Sequence, residues 1–326
     1  MSEPIIVERV LVASEHSEIL GQIGELRAWM AEQVPGVQVD VARSLAEALS
    51  VPSPDAIFGN AQPWIADLVR ARPSIRWIHL ISAGADRLLE LDLPFDRLRV
   101  SKSSGVHSAS IPEFVIGAAL YFTKGFDRFA AQQRRGEWQR AEMGGLEGAT
   151  LGIVGLGTIG TALARKAKAF DMRVIGSKRH PCAVDGVDRV VGPDGTREVM
   201  AAADVVAVIL PLTPSTRGLV DRRAIEATKP GAVFVNVGRG QVVDEAALTE
   251  ALRAGRLRGA VLDVFDEEPL PASSPLWAME NVLITPHVSG STPTYMRKAV
   301  EVFGTNVRAL AEDGSLRTPV QHELGY

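Results

Sequence analysis

The chain is 326 residues long, is 46% hydrophobic and has a formal net charge of −4. It is too apolar to be disordered, long enough for two ordinary domains, and without the positive excess that draws proteins to nucleic acid or anionic membranes. The single cysteine, Cys182, excludes an intramolecular disulfide and a cysteine-built zinc site, and no metal is expected. No apolar run reaches the length of a membrane span, and Met1-Ser2-Glu3-Pro4 lacks the basic and apolar regions of a signal peptide; a cytoplasmic protein is the expectation.

From the N-terminus, β-rich runs alternate with helical patterns. Val7–Ala13 is followed by Ile19, Leu20, Ile23, Leu26 and Met30, which share one face of a helix. Further candidate strands are Val37–Ala42, Ala56–Gly59, Arg76–Ser82 and Leu98–Ser103. Ser110-Ile111-Pro112-Glu113 reads as a capping box that opens a long apolar helix through Tyr121. Beyond it come Thr150–Val154, Arg173–Gly176, Val205–Leu210, Ala232–Val237, Gly259–Val264 and Val282–Thr285. Runs such as Val205–Leu210 are apolar on both faces, as central parallel strands covered by helices must be. The alternation predicts a doubly wound α/β architecture. Trp64, Trp77, Trp138 and Trp277 read as packing residues, with Trp138 also a candidate for contact with a partner subunit.

The densest signal is Gly155-Leu156-Gly157-Thr158-Ile159-Gly160. It follows the apolar run Thr150–Val154 and opens an alanine-rich helical pattern from Thr161 to Phe170. Strand, tight turn and helix are the context a dinucleotide pyrophosphate needs: one glycine for the turn, one for backbone approach to the phosphates, one for helix–strand packing. The helix N-terminus adds unpaired N–H groups and a positive dipole end. Such a motif normally marks the first strand of a nucleotide-binding unit, yet here it falls near mid-chain, so a domain boundary is placed just before the Ser110 helix.

The next strand ends in Ser177-Lys178-Arg179-His180, and no carboxylate appears until Asp185. An acid at that position would accept ribose hydroxyls, whereas Arg, Lys and Ser suit a 2′-phosphate. NADP(H) is therefore expected over NAD(H), with NAD(H) still possible.

Three side chains capable of chemistry then follow strand ends. Arg239 lies in Asn236-Val237-Gly238-Arg239-Gly240, Glu268 in Asp263–Pro269, and His287 in Thr285-Pro286-His287. Open α/β sheets bind ligands outside the carboxyl ends of their strands. Taken singly, each has a plain alternative as a surface arginine, a solvated acid or a turn histidine.

From about Arg76 to about Thr292 the chain resembles the D-isomer specific 2-hydroxyacid dehydrogenase family. The matching stretches are Ser82–Asp86, Ser104–His107, Gly152–Gly160, Leu210–Pro214, Asn236–Gly240, Asp263–Pro269 and Thr285–His287. The resemblance implies NAD(P)-dependent reduction of a 2-keto acid to the D-2-hydroxy acid, with glyoxylate and hydroxypyruvate as first-choice substrates. It implies that Arg239 binds the carboxylate and polarises the carbonyl, that His287 is the acid and base, and that Glu268, which precedes Pro269, orients the imidazole and favours its charged form. Backbone N–H groups at Ala83 and Gly84 would grip the carboxylate, and Asp86 would cap the helix that follows. Leu210, Pro211, Thr213, Val237, Gly238 and Asp263 would contact the cofactor, and Gly105 and Val106 would lie by the nicotinamide.

The resemblance also implies a flavodoxin-like substrate domain (1–106 plus 292–326, with a helix from Pro293 to Asp313) and a Rossmann domain (107–291) around a cleft, in a homodimer. Many relatives have Ala-Glu-His where this chain has Pro112-Glu113-Phe114, so Glu113 is left to the capping box and His107 is given no role. Two other functions fit the same fold: oxidation of phosphite, and a cofactor-sensing corepressor.

Overall fold

Alternation along the first strand shows how the N-terminal sheet is built. Val10 and Val12 of β1 (Arg9–Ala13) pack with Leu26, Met30 and Phe303, while Leu11 and Ala13 pack with Ala48, Ile65 and Leu68. Both faces are therefore apolar and covered, as a parallel sheet requires. The computed structural model describes residues 5–325, and these divide into two units, one running to Val106 and resuming at Thr292, the other His107–Ser291.

In the first unit β1 is followed by α1 (Ser17–Gly21), α2 (Ile23–Gln33), β2 (Gln38–Ala42), α3 (Leu45–Ser50), β3 (Ala56–Gly59), α4 (Ile65–Ala71), β4 (Trp77–Leu80), α5 (Asp86–Leu89) and β5 (Arg99–Lys102). The five strands are parallel in the order β2-β1-β3-β4-β5, the flavodoxin-like winding. The helix Tyr295–Glu312 lays Ala299, Val300, Phe303 and Leu310 on the face that α2 covers. The single helix expected over Ile19–Met30 is interrupted at Gln22, between α1 and α2. Gly21 and Gly24 flank the break, and glycine is the weakest helix former after proline.

The second unit contains α6 (Ser110–Thr123), α7 (Phe126–Arg135), β6 (Thr150–Val154), α8 (Thr158–Lys168), β7 (Arg173–Ser177), β8 (Arg189–Val191), α9 (Thr196–Ala202), β9 (Val205–Val208), α10 (Arg222–Ala227), β10 (Val233–Asn236), α11 (Glu245–Arg253), β11 (Gly259–Leu262) and β12 (Val282–Ile284). Its strands are parallel in the order β12-β11-β10-β9-β6-β7-β8. Counted from β6, this is the 3-2-1-4-5-6 order of dinucleotide-binding sheets with one strand added. All four residues of β9 are fully buried, and each valine there contributes about 1.5–3 kcal/mol of burial. The edge strand β8 escaped the sequence reading because it is short and has no fully buried residue.

Three local expectations are corrected. Ala109 is already helical (φ −97°, ψ −53°), so Ser110 falls inside α6 and caps nothing. Its Oγ is buried without a hydrogen-bond partner among the described residues, and Glu113 pairs with Lys166 instead (3.0 Å). Asp86 is likewise the first residue of α5, with Ala85 at the cap. Trp138 is 94% exposed and packs on no core, because it lies in the irregular stretch after α7. No helix among the described residues is long and apolar enough to cross a membrane.

Candidate active site

Register places the candidate residues along one edge of the seven-stranded sheet. Ile284, Leu262, Asn236, Val208, Val154, Ser177 and Val191 pair in a single row at the carboxyl ends of their strands. One to three residues past that row, after strands β6, β7, β9, β10, β11 and β12, come Gly155, Lys178, Leu210, Gly238, Arg239, Asp263 and His287.

At the centre of the row, Gly155 has φ +114°, and a Cβ there would lie 2.7 Å from the Ile209 carbonyl oxygen. A Cβ on Gly160 would lie 2.3 Å from the Gly155 oxygen, which explains the third glycine. Leu156 is buried against Gly176, and its N–H donates to the Ser177 carbonyl (2.8 Å), so its side chain belongs to the core. A Cβ on Gly157 would meet nothing within 4 Å, and Thr158 is exposed and Ile159 half-buried beside it. The first turn of α8 carries no acid and its last turn carries Arg165, Lys166 and Lys168. That charge order complements the helix dipole and leaves the N-terminal N–H groups for an anion. This cradle fits a dinucleotide pyrophosphate.

Past β7, Ser177 is buried while Lys178 and Arg179 are half-buried. The Lys178 N–H donates to the Val191 carbonyl (3.0 Å), which fixes the backbone from which both cationic side chains leave. Leu210 and Pro211 are half-buried after β9. Thr213 is buried, and its hydroxyl is taken up inside its own turn by Ser215 and Thr216 (3.1 and 2.9 Å).

Arg239 is set by a residue to which the sequence reading gave no role. Asn236, 2% exposed at the end of β10, accepts from the Gly238 N–H (3.1 Å) and donates to the Arg239 carbonyl (3.2 Å). Its side chain thus closes the Val237–Arg239 turn, with Val237 buried beneath it. A Cβ on Gly240 would overlap the Phe265 carbonyl carbon, so this turn sits against the loop that follows β11. The available signal was an amide side chain ending an otherwise apolar strand.

His287 and Glu268 meet. The imidazole Nδ1 lies 2.8 Å from Glu268 Oε2, and the other carboxylate oxygen accepts from the Phe265 N–H (3.2 Å). An ionised carboxylate only accepts, so Nδ1 carries a proton and Nε2 is left to exchange one. The Glu268 loop is tied back through Glu245, whose carboxylate accepts from the Asp266 N–H (3.1 Å). Burial raises the pKa of both acids, with a further push on Asp266 from Asp244 and on Glu245 from Asp266.

His287 has φ +55°, a left-handed conformation that costs a non-glycine residue roughly 1–2 kcal/mol. Asp263 holds it there. Fully buried, its carboxylate accepts from the Thr285 hydroxyl (2.6 Å) and from the Val288 and Ser289 N–H groups (2.8 and 2.9 Å), while its carbonyl accepts from the His287 N–H (2.9 Å). The residue expected to contact the cofactor therefore also shapes the histidine turn.

In the five-stranded unit, Ser82–Ala85 follows β4. The carbonyls of Leu80, Ile81, Ser82 and Gly84 all accept hydrogen bonds, from Ser103, Tyr295, Ser103 and Ser82 respectively. No N–H group of Ser82, Ala83, Gly84 or Ala85 has an acceptor among the described residues. Successive unpaired N–H groups make an anion-binding concavity.

A sheet edge carrying a dinucleotide fingerprint, a carboxylate-held histidine and an arginine defines a nucleotide-dependent oxidoreductase type of domain. Residues 116–289 match the family model described as D-isomer specific 2-hydroxyacid dehydrogenase, NAD binding domain, and the chain belongs to that family. A D-3-phosphoglycerate dehydrogenase of Methanocaldococcus jannaschii is 30% identical over 312 residues, covering 94% of this chain, which spans 56% of that relative's length. A D-isomer specific 2-hydroxyacid dehydrogenase from Xanthobacter autotrophicus Py2, solved with NADPH and MES, superposes with a TM-score of 0.87 at 32% identity over 97% of this chain and 99% of that one. The NADPH-dependent glyoxylate/hydroxypyruvate reductase of Sinorhizobium meliloti, solved with NADP and sulfate, gives 0.84 at 26% identity over 98% and 100%.

Proposed function

We propose that the protein reduces a small 2-keto acid, glyoxylate or hydroxypyruvate, to the D-2-hydroxy acid, with NADPH preferred over NADH. The observation that carries this reading is the Glu268–His287 pair, which leaves Nε2 as the proton-exchanging atom. The reduced nicotinamide supplies the hydride when bound. Arg239 pairs with the substrate carboxylate and polarises the ketone. As negative charge grows on the carbonyl oxygen, His287 gives it the Nε2 proton, and in the oxidation direction takes it back. Glu268 keeps the ring in that orientation. The amide groups of Ala83 and Gly84 give the carboxylate further donors.

Gly155–Gly160 and the α8 N-terminus would hold the pyrophosphate, Leu210, Pro211, Thr213, Val237 and Gly238 the adjoining parts of the cofactor, and Asp263 the carboxamide. Ser177, Lys178 and Arg179 would hold a 2′-phosphate. The NADPH and NADP of the two solved relatives support that preference. A homodimer through the nucleotide-binding unit is part of the same reading, and the exposed Trp138 on that unit supports it.

The test is loss of NADPH absorbance with each acid, beside NADH and the Arg239→Ala and Arg179→Ala variants. Arg239→Ala should lower kcat/KM for the acid at least ~100-fold, and Arg179→Ala should raise KM for NADPH ~10-fold while sparing NADH. Turnover with NADH alone would remove the cofactor assignment. No turnover with either acid would remove the substrate assignment.

A further inference from the structure

His79 lies at the heart of the five-stranded unit and has no part in the chemistry described above. It is fully buried on β4, on the sheet face of Trp77, stacked on Phe58 (5.7 Å between centroids) and edge-on to Phe303 (5.5 Å). A buried imidazole in an aromatic nest needs a partner for each nitrogen. It has two, and both are serines of the neighbouring strand and its exit: Nδ1 lies 2.7 Å from Ser101 Oγ and Nε2 lies 3.1 Å from Ser103 Oγ.

The direction of each bond follows from the ends of the chain. The Trp77 indole can only donate, and it donates to Ser101 Oγ (2.9 Å), which leaves the Ser101 proton available to Nδ1. At the other end a carbonyl can only accept, and the Ser103 hydroxyl donates to the Leu80 oxygen (3.0 Å), so Ser103 takes its proton from Nε2. The Leu80 end thus puts a proton on Nε2, and in the neutral ring Nδ1 then accepts from Ser101. Burial favours the neutral ring strongly, pushing the imidazole pKa down to about 3. The run Trp77, Ser101, His79, Ser103, Leu80 is thus a one-way chain whose members polarise one another.

That chain ends at the loop with the unpaired N–H groups. Ser103 also donates its backbone N–H to the carbonyls of Leu80 and Ser82 (3.0 and 3.2 Å). We propose that His79 is a positioning residue for the substrate carboxylate: by ordering Ser103 it fixes the exit of β4, and with it the direction of the Ala83 and Gly84 N–H groups. This deepens the reading above and rests on its assignment of that loop.

The experiment compares Ser103→Ala, His79→Leu and His79→Gln with wild type, measuring KM for the keto acid, kcat, KM for NADPH and melting temperature. Ser103→Ala and His79→Leu should raise KM for the keto acid about tenfold, leaving kcat and KM for NADPH within about threefold, because the lost contact is made equally in ground and transition states. His79→Gln should recover most of that KM, since its amide nitrogen can donate to Ser103. A merely structural histidine would lower the melting temperature in all three and leave KM alone, and that result overturns the proposal. So does imidazole 15N spectroscopy that finds the proton on Nδ1. If wild type reduces no 2-keto acid, the functional reading fails separately. The positioning claim is then decided by the Ala83–Ala85 amide resonances, which should move in Ser103→Ala and whose constancy would refute it.

Discussion

The His287 turn and the Ser82–Ala85 loop each follow the carboxyl end of a parallel strand, and each is held from below by one buried polar side chain. The means are opposite. Asp263 is an acceptor only, and it gathers three donors around a strained, left-handed histidine. His79 is neutral, gives and takes one proton each, and passes a fixed order along a chain of hydroxyls. The difference follows what each loop presents. A turn that displays a side chain must have its backbone N–H groups consumed, and a carboxylate beneath does that. A loop that displays N–H groups must have its carbonyls consumed instead, which calls for donors beneath, and Ser103 and Tyr295 supply them.

The largest effect should come from removing the side chain that the His287 turn displays. His287→Ala should lower kcat ~1000-fold while the affinity for NADPH, followed by fluorescence, changes about twofold or less. A loss of binding equal to the loss of turnover would make His287 a structural residue. Next comes the support itself. Asp263→Asn places an amide nitrogen among three donors, leaves at least one of them unsatisfied, and should cost about 2–3 kcal/mol in urea unfolding. It should also lower kcat ~10–100-fold as the turn relaxes. Unchanged stability would show that the three bonds are replaceable.

The mildest test concerns His79 and acid. Its folded pKa, about 3, lies below the ordinary value of 6.5, so only the unfolded chain takes up this proton between those two values. Its contribution to stability is therefore constant above about pH 6.5 and shrinks as pH falls, by up to ~1.4 kcal/mol per unit. Unfolding curves at pH 7, 6 and 5 should fall more steeply for wild type than for His79→Gln. Parallel curves would mean that another group governs the acid sensitivity.

Strands and their order of use were legible because parallel strands buried on both faces leave long apolar runs, as in Val205–Leu210, and because the glycine fingerprint fixes where one unit begins. The three residues capable of chemistry were legible as polar side chains just past such runs. What supports them was not. Asn236 bonds to groups that only a turn brings near, and the three donors to Asp263, Thr285 among them, come from residues 22 to 26 positions away. Ser101 and Ser103 look like ordinary strand-end serines until β4 and β5 are paired. The helix starts are hidden for a related reason: Ser110 and Asp86 have capping side chains, but the backbone enters the helix one residue earlier than their chemistry suggests.

The division of the first unit into two stretches of sequence bears on how the chain is made. Phe303, whose ring stacks on Trp77 at 4.8 Å, emerges from the ribosome long after the strand it covers. At ordinary synthesis rates that delay is about 10–40 s. Through that interval the sheet face of Val10, Phe58 and Trp77 has α2 but lacks the Tyr295–Glu312 helix, while the whole of His107–Ser291 can fold as it emerges. The nascent chain therefore completes its second unit before its first, and its exposed early face is the one most in need of chaperone protection.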